Sequence, residues 1–128
     1  MEWGEVKMDQ LWEKVMELRH ELHRHPELSG QERQTKARLM AFIQKYTKLK
    51  IVDMGEWFCA LYEPAEKNGQ PPIAFRADMD ALPVPETISL PYGSQNTGAA
   101  HKCGHDGHSS VLAALAVLLE EDADVHRP

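Results

Sequence analysis

The sequence predicts an α/β layered domain in which helices cover a sheet. Three observations carry that expectation. Two amphipathic stretches open the chain, three short runs rich in β-branched and aromatic residues follow, and a strongly apolar helix comes last. With 128 residues the chain has the usual size of one domain. Its 42% hydrophobic and 27% charged residues are those of an ordinary globular protein that can bury a core.

The first stretch, DQLWEKVMELRHELHRH, sets Leu11, Val15, Leu18 and Leu22 on one helical stripe with charges opposite, and Pro26 ends it. Ser29-Gly-Gln-Glu32 then fits a capping box, in which Ser29 and Glu32 each satisfy a free amide of the other's backbone. The helix that follows has Leu39, Phe42, Ile43 and Tyr46 as its buried stripe. From Leu49 the texture changes. KIVDM, WFCALYE and PIAFRADM read as strands, separated by Gly55 and by EPAEKNGQP. Asn68-Gly69 makes the second gap a hairpin loop, so the last two strands are expected to be antiparallel neighbours. The third strand runs into Asp78-Met79-Asp80 and is stopped by Leu82-Pro83-Val84-Pro85. A long loop, ETISLPYGSQNTGAA, leads to HKCGHDGH, and a helix is expected from Ser109 or Ser110. That helix, SSVLAALAVLLEE, is apolar nearly all round and should be buried on most sides. Only EEDADVHRP closes the chain after it, which points to packing partners from a larger domain. No internal repeat or low-complexity linker is visible.

The net charge of -6, with no Lys/Arg cluster, argues against a nucleic-acid partner. KARLMAFIQKYTKLK is locally basic, but its charges alternate with apolar residues, as on a solvated helix face. MEWGEVKMDQ has neither the basic nor the apolar region of a signal peptide. The longest apolar run, VLAALAVLL, falls short of the about 20 residues a bilayer requires. No membrane partner and a reduced, cytoplasmic protein are therefore expected. Cys59 and Cys103 could pair in principle, but in that compartment a cysteine beside histidines reads rather as a ligand or nucleophile.

HKCGHDGH gathers three of the 7 histidines and one of the 2 cysteines. Thiolate and imidazole are the ligands preferred by zinc and similar divalent metals. Cys103 and His105 stand two apart, and Gly104 frees the backbone for both to converge on one ion. Asp106 and His108 follow closely. Because no second pair stands at zinc-finger spacing, a histidine-rich surface loop is the competing reading. In Arg76-Ala-Asp78-Met-Asp80 the two carboxylates fall on one side of a strand, at a sheet edge where α/β sites lie. Such an aspartate can hold the far nitrogen of a ligating histidine; the alternative is a polar turn ahead of Pro83. His20-Glu-Leu-His23 resembles the metalloprotease HExxH, but the second histidine comes one residue early and Arg24 takes its place. His20 and His23 are therefore read as helix-surface or packing residues, and Cys59, among apolar neighbours, as core.

LHRHPELSGQE, FRADMDALPVPE and LPYGSQNTGAAHKCGHDGHSS resemble, in that order, segments of the M20 metallopeptidase family, in its amidohydrolase subfamily. The resemblance runs from about Leu11 to Glu121, and the combination of RADMDALP with CGHDGH is highly specific. It implies a three-layer α/β/α catalytic domain of the zinc-aminopeptidase type, of which this chain is the N-terminal part. Residues 1–9 would be a tail and residues 10–128 the domain portion. The resemblance further implies a two-metal site holding zinc, manganese, cobalt or nickel. Cys103 and His105 match metal ligands, Asp80 matches the active-site aspartate, and Asp78, Asp106 and His108 line the site.

The implied reaction is cleavage of the amide bond of N-acyl amino acids or small peptides by a metal-activated water, in a full-length protein that is homodimeric. The family's glutamate base, its further ligands and its lid domain lie beyond Pro128, so the 128 residues alone are expected to be inactive. Lys102 stands where the family more often has a small residue, and either lowers the Cys103 pKa or points outward. EWFCA replaces the family's usual glycine-valine pattern at a strand start. A second reading is a non-catalytic or vestigial metal-binding module that kept the first ligands. A third, a helical interaction module, leaves RADMD and CGHDGH unexplained.

Overall fold

The computed structural model describes residues 5–66 and 68–123. Its elements in chain order are α1 (Glu5–Arg24), α2 (Arg33–Tyr46), β1 (Lys50–Asp53), β2 (Phe58–Leu61) and α3 (His105–Ala123). Of the expected tail, residues 5–9 are the start of α1, and residues 1–4 lie outside the described residues. Residues 124–128, the end of the closing segment, lie outside them too.

The stripes read from periodicity form the core. Leu11, Val15, Leu18 and Leu22 of α1 meet Leu39, Phe42 and Ile43 of α2 and Ala113 and Val117 of α3, with Tyr46 partly buried against them. Among the described residues no helix is long and apolar enough to cross a membrane. One face of α3 packs, but Val111 and Leu119 on other faces are exposed, so burial on most sides is not seen. No described element covers that side.

The turn into α2 departs from the expected capping box. Glu32 is the N-cap and makes no side-chain capping bond, and among the described residues Glu32 Oε1 has no hydrogen-bond partner. The cap comes instead from Glu27, whose Oε1 accepts the Thr35 amide at 2.5 Å and the Thr35 hydroxyl at 2.6 Å. Gly30, at φ +83°, closes the intervening turn, in which the Gln31 amide donates to Leu28 O at 2.9 Å. That turn folds Glu27 back over the first turn of the helix, where a negative charge also meets the favourable end of the dipole. Glu27→Ala is therefore expected to cost about 1–2 kcal/mol, read as a lower denaturant midpoint. Ser29→Ala should leave the midpoint unchanged, and the opposite order would restore the capping box.

β1 and β2 pair antiparallel in the register Lys50↔Leu61 to Asp53↔Phe58, joined through Gly55 at φ +91°. Lys36 of α2 ties this hairpin down by bonding Asp53 and the Gly55 carbonyl. Residues 72–79 do not form the expected third strand, and they do not pair with β2. Their apolar side chains Ile73 and Phe75 are 83% and 65% exposed. A strand needs a ladder neighbour, and among the described residues this run finds none, although Met79 at its end packs against the core.

Pairing resumes just beyond. The Ala81 amide donates to Glu27 O at 2.7 Å, and Leu82 and Ala100 exchange amide–carbonyl bonds at 3.0 and 3.1 Å. These bridges stitch residues 80–82 between the end of α1 and the chain entering α3. They carry Asp80 to the Cys/His loop.

Candidate functional site

α3 begins at His105, four or five residues before the expected start at Ser109 or Ser110. Gly104, at φ +80°, supplies the left-handed turn, and its carbonyl accepts the His108 amide at 2.9 Å as the first helical bond. The segment reads as a loop because of its glycines. Yet the first helical turn tolerates Gly107, and it favours Asp106 there through the helix dipole. Cys103 is thus an exposed free thiol just before the helix, and His105 is the first helical residue.

His105 Nδ1 donates to Asp80 twice, to its backbone carbonyl at 2.8 Å and to its carboxylate Oδ1 at 2.9 Å. Both partners only accept, so Nδ1 must carry the hydrogen. In the neutral ring that leaves the lone pair on Nε2, the form in which imidazole binds a metal. Asp80 therefore stands where the sequence expectation put an orienting carboxylate. Asp78 does not accompany it. With no strand formed at 72–79, the two carboxylates do not share a strand face, and Asp78 is exposed and bonded to Arg76 at 3.0 Å. His108 is exposed, its ring 5.9 Å from that of His105.

Asp106 faces α1. Its carboxylate is almost fully buried and accepts from His23 Nδ1 at 2.8 Å and Arg19 Nε at 3.3 Å. The other nitrogen of His23, Nε2, donates to Glu86 Oε2 at 2.9 Å, and Glu86 Oε1 accepts from Lys102 Nζ at 3.1 Å. Burial pushes the Asp106 carboxyl up, but the His23 bond, the neighbouring His101, the Gly107 amide and Arg19 outweigh it and hold it below its usual range. Glu86 behaves alike: burial raises it, and the bonds from Lys102 and His23 bring it below the usual carboxylate range. Both carboxylates are thus ionised around one imidazole.

Sequence reading missed this network. His23, expected at the helix surface or in packing, is buried, with carboxylates 63 and 83 residues away as partners. Lys102 does not point outward freely, because its ammonium is held by Glu86. His20, stacked on Tyr92 at 3.9 Å, fits the packing expectation. Its pKa is lowered by burial and by Arg19, Arg24 and His23. His101 is buried, with neither ring nitrogen partnered among the described residues, and burial is the main cause that pushes its pKa down. Cys59 is half-buried in β2 and unpaired.

Among the described residues no group of three or more His, Cys, Asp or Glu side chains converges to hold a metal. Cys103 and His105 fit a metal by donor chemistry and, for His105, by the fixed tautomer, and they would supply only part of a coordination sphere.

A family model for peptidase family M20/M25/M40 matches residues 74–128, the stretch that contains Asp80, Cys103 and His105. In structure, the Bacillus subtilis YXEP protein, described as a dinuclear metal binding peptidase from the M20 family, matches with a TM-score of 0.83. Sequence identity is 33%, over 89% of this chain and 32% of that one. The chain is similar to an N-terminal portion of M20 amidohydrolases. In sequence it is 38% identical over 122 residues to N-acetyl-L-cysteine deacetylase of Bacillus subtilis, covering 93% of this chain and 28% of that protein. It is 42% identical over 111 residues to N-acetyldiaminopimelate deacetylase of Limosilactobacillus fermentum, covering 83% of this chain and 28% of that protein. The chain thus spans less than a third of these M20 proteins and corresponds to an N-terminal portion of the amidohydrolase type. The mixed helix and strand architecture is that of part of an M20 domain, as the sequence led us to expect.

Proposed function

We propose that these residues belong to a metal-dependent amidohydrolase that cleaves the amide bond of N-acyl amino acids or small peptides with water. The observation that carries this reading is the Asp80–His105 contact, which prepares one imidazole nitrogen for a metal two residues from an exposed thiol. The names of the relatives, deacetylases of N-acetylated amino acids among them, support the substrate class.

In this reading Cys103 and His105 hold a divalent metal, and Asp80 keeps the proton on Nδ1 and the ring in place. When bound, divalent ions supply Lewis acidity for the amide carbonyl and for water. Two ions per complete site, of zinc, manganese, cobalt or nickel, belong to the proposal, and the dinuclear description of YXEP supports the count. His108 lines the approach to His105. Asp106 serves through its bonds to His23 and Arg19 rather than at the metal. The general base and the remaining ligands would come from the part of such proteins that these 128 residues do not span, so residues 1–128 alone should show no turnover. A small-molecule substrate, a homodimeric full-length protein and a cytoplasmic location complete the proposal, with no nucleic-acid or membrane partner.

Hydrolysis of N-acetyl or N-benzoyl amino acids by the intact protein with zinc, manganese or cobalt tests it. Asp80→Asn should lower turnover by about 10- to 100-fold, because the amide cannot offer the charge that holds Nδ1–H. Asp78→Asn should lower it less, since Asp78 is bonded to Arg76 at the surface. Equal losses, or the reverse order, would contradict the roles given to the two residues. An intact protein that binds metal yet hydrolyses none of these amides would favour the non-catalytic module.

A further inference from the structure

We propose that His23 is a positioning residue for the Cys103–His105 pair, clamping both ends of the short loop that carries it. The two side chains flanking that loop are Lys102 and Asp106. Asp106 accepts from His23 Nδ1 at 2.8 Å, and Lys102 reaches His23 through Glu86, with contacts of 3.1 and 2.9 Å. His23, Asp106, the backbone from 106 back to 102, Lys102 and Glu86 therefore form one closed ring. Cys103, Gly104 and His105 are the chain within it. Gly104, in its left-handed conformation, is the flexible joint of that segment, and fixed ends remove most of its freedom.

Packing alone does not call for such a network. The contact between α1 and α3 is already made by Leu11, Val15, Leu18 and Leu22 against Ala113 and Val117. Buried ion pairs add little net stability over apolar residues of the same volume. What a buried imidazole between two carboxylates does supply is a fixed distance and direction to each. Here those two carboxylates belong to, or hold, the residues bracketing the ligand pair. Ser109 and Ser110 brace the same turn, donating to the carbonyls of His105 and Asp106 at 2.6 Å each.

The proposal rests on reading Cys103 and His105 as metal ligands, yet the clamp itself can be measured without metal. In the intact protein, amide hydrogen exchange is compared among wild type, His23→Gln and Lys102→Gln, together with Co2+ affinity from the thiolate-to-cobalt absorption band. Glutamine at 23 keeps a donor for one carboxylate and loses the other. The expected result for His23→Gln is exchange about tenfold faster across residues 102–108, with the amides of α2 keeping their wild-type protection. Co2+ affinity should fall about tenfold, in line with the loss of an outer-shell partner. Lys102→Gln, at a partly exposed position, should give a smaller change confined to the same segment.

Wild-type exchange over 102–108 in a folded His23→Gln protein overturns the proposal, as does acceleration spread evenly through α2. If His23→Gln does not fold, Lys102→Gln decides: unchanged exchange at 102–108 overturns the clamp, and faster exchange there supports it. Faster local exchange in a protein whose wild type binds no Co2+ would support the clamp and overturn the ligand reading instead.

Discussion

Asp106→Ala is expected to destabilise the protein by about 3–5 kcal/mol, a large share of the about 5–15 kcal/mol by which a domain is stable. The side chain is almost fully buried and accepts from both His23 and Arg19. Alanine would leave His23, itself buried, with a donor facing no acceptor, and Arg19 without its partner. The loss comes from these stranded donors rather than from the intrinsic worth of the pair. The pH dependence has a definite sign. The folded-state carboxyl is held below its unfolded value, so its contribution is complete above about pH 4 and is lost as pH falls through the lower folded pKa. Glu86, lowered likewise, adds a loss over the same acid range. Denaturant unfolding should be level from pH 7 to about pH 4 as far as this group is concerned, then fall as pH drops further in wild type, with a flatter acid limb in Asp106→Ala. A midpoint equal to wild type at pH 7 would mean that His23 and Arg19 find other partners.

Leu22→Ala is expected to cost about 2–5 kcal/mol. Leu22 is fully buried, 0% exposed, at the end of the α1 stripe where the helix meets the rest of the core. Truncation removes the transfer free energy of the lost carbons and leaves a cavity that rigid neighbours fill only in part. Trp12→Ala on the same helix is the control, since Trp12 is 65% exposed, and it should change the midpoint little. A loss at Leu22 no larger than at Trp12 would place the core elsewhere.

The parts of this protein legible in its sequence are those decided by local period. The stripes of α1 and α2 follow from side chains three and four residues apart, and every residue named for the α1 stripe is buried. The Asp80–His105 contact was legible for a different reason: two chemically distinctive motifs each had one plausible use for the other. What was not legible depends on long-range partners. Nothing near His23 in the chain announces Glu86 or Asp106, so its burial between them had no local sign. Residues 72–79 carry strand composition, but a strand exists only with a neighbour, and composition does not report one. At Glu27 the obstacle was competition. Ser29 and Glu32 stand at the spacing of a capping box, while the turn at Gly30 brings a different carboxylate to the same amides. The start of α3 was misplaced because glycine weighs against a helix in its interior but little in its first turn.

The measurement that bears most directly on the central claim is the metal content of the intact protein, by elemental analysis, in wild type, Cys103→Ser and His105→Ala. An alcohol is a far poorer ligand than a thiolate at neutral pH, and alanine offers no donor at all. Each substitution should therefore lower the bound zinc or manganese per chain while the fold, read by circular dichroism, persists. Equal metal stoichiometry in all three proteins would contradict the assignment of Cys103 and His105 as ligands, and with it the reading of this site.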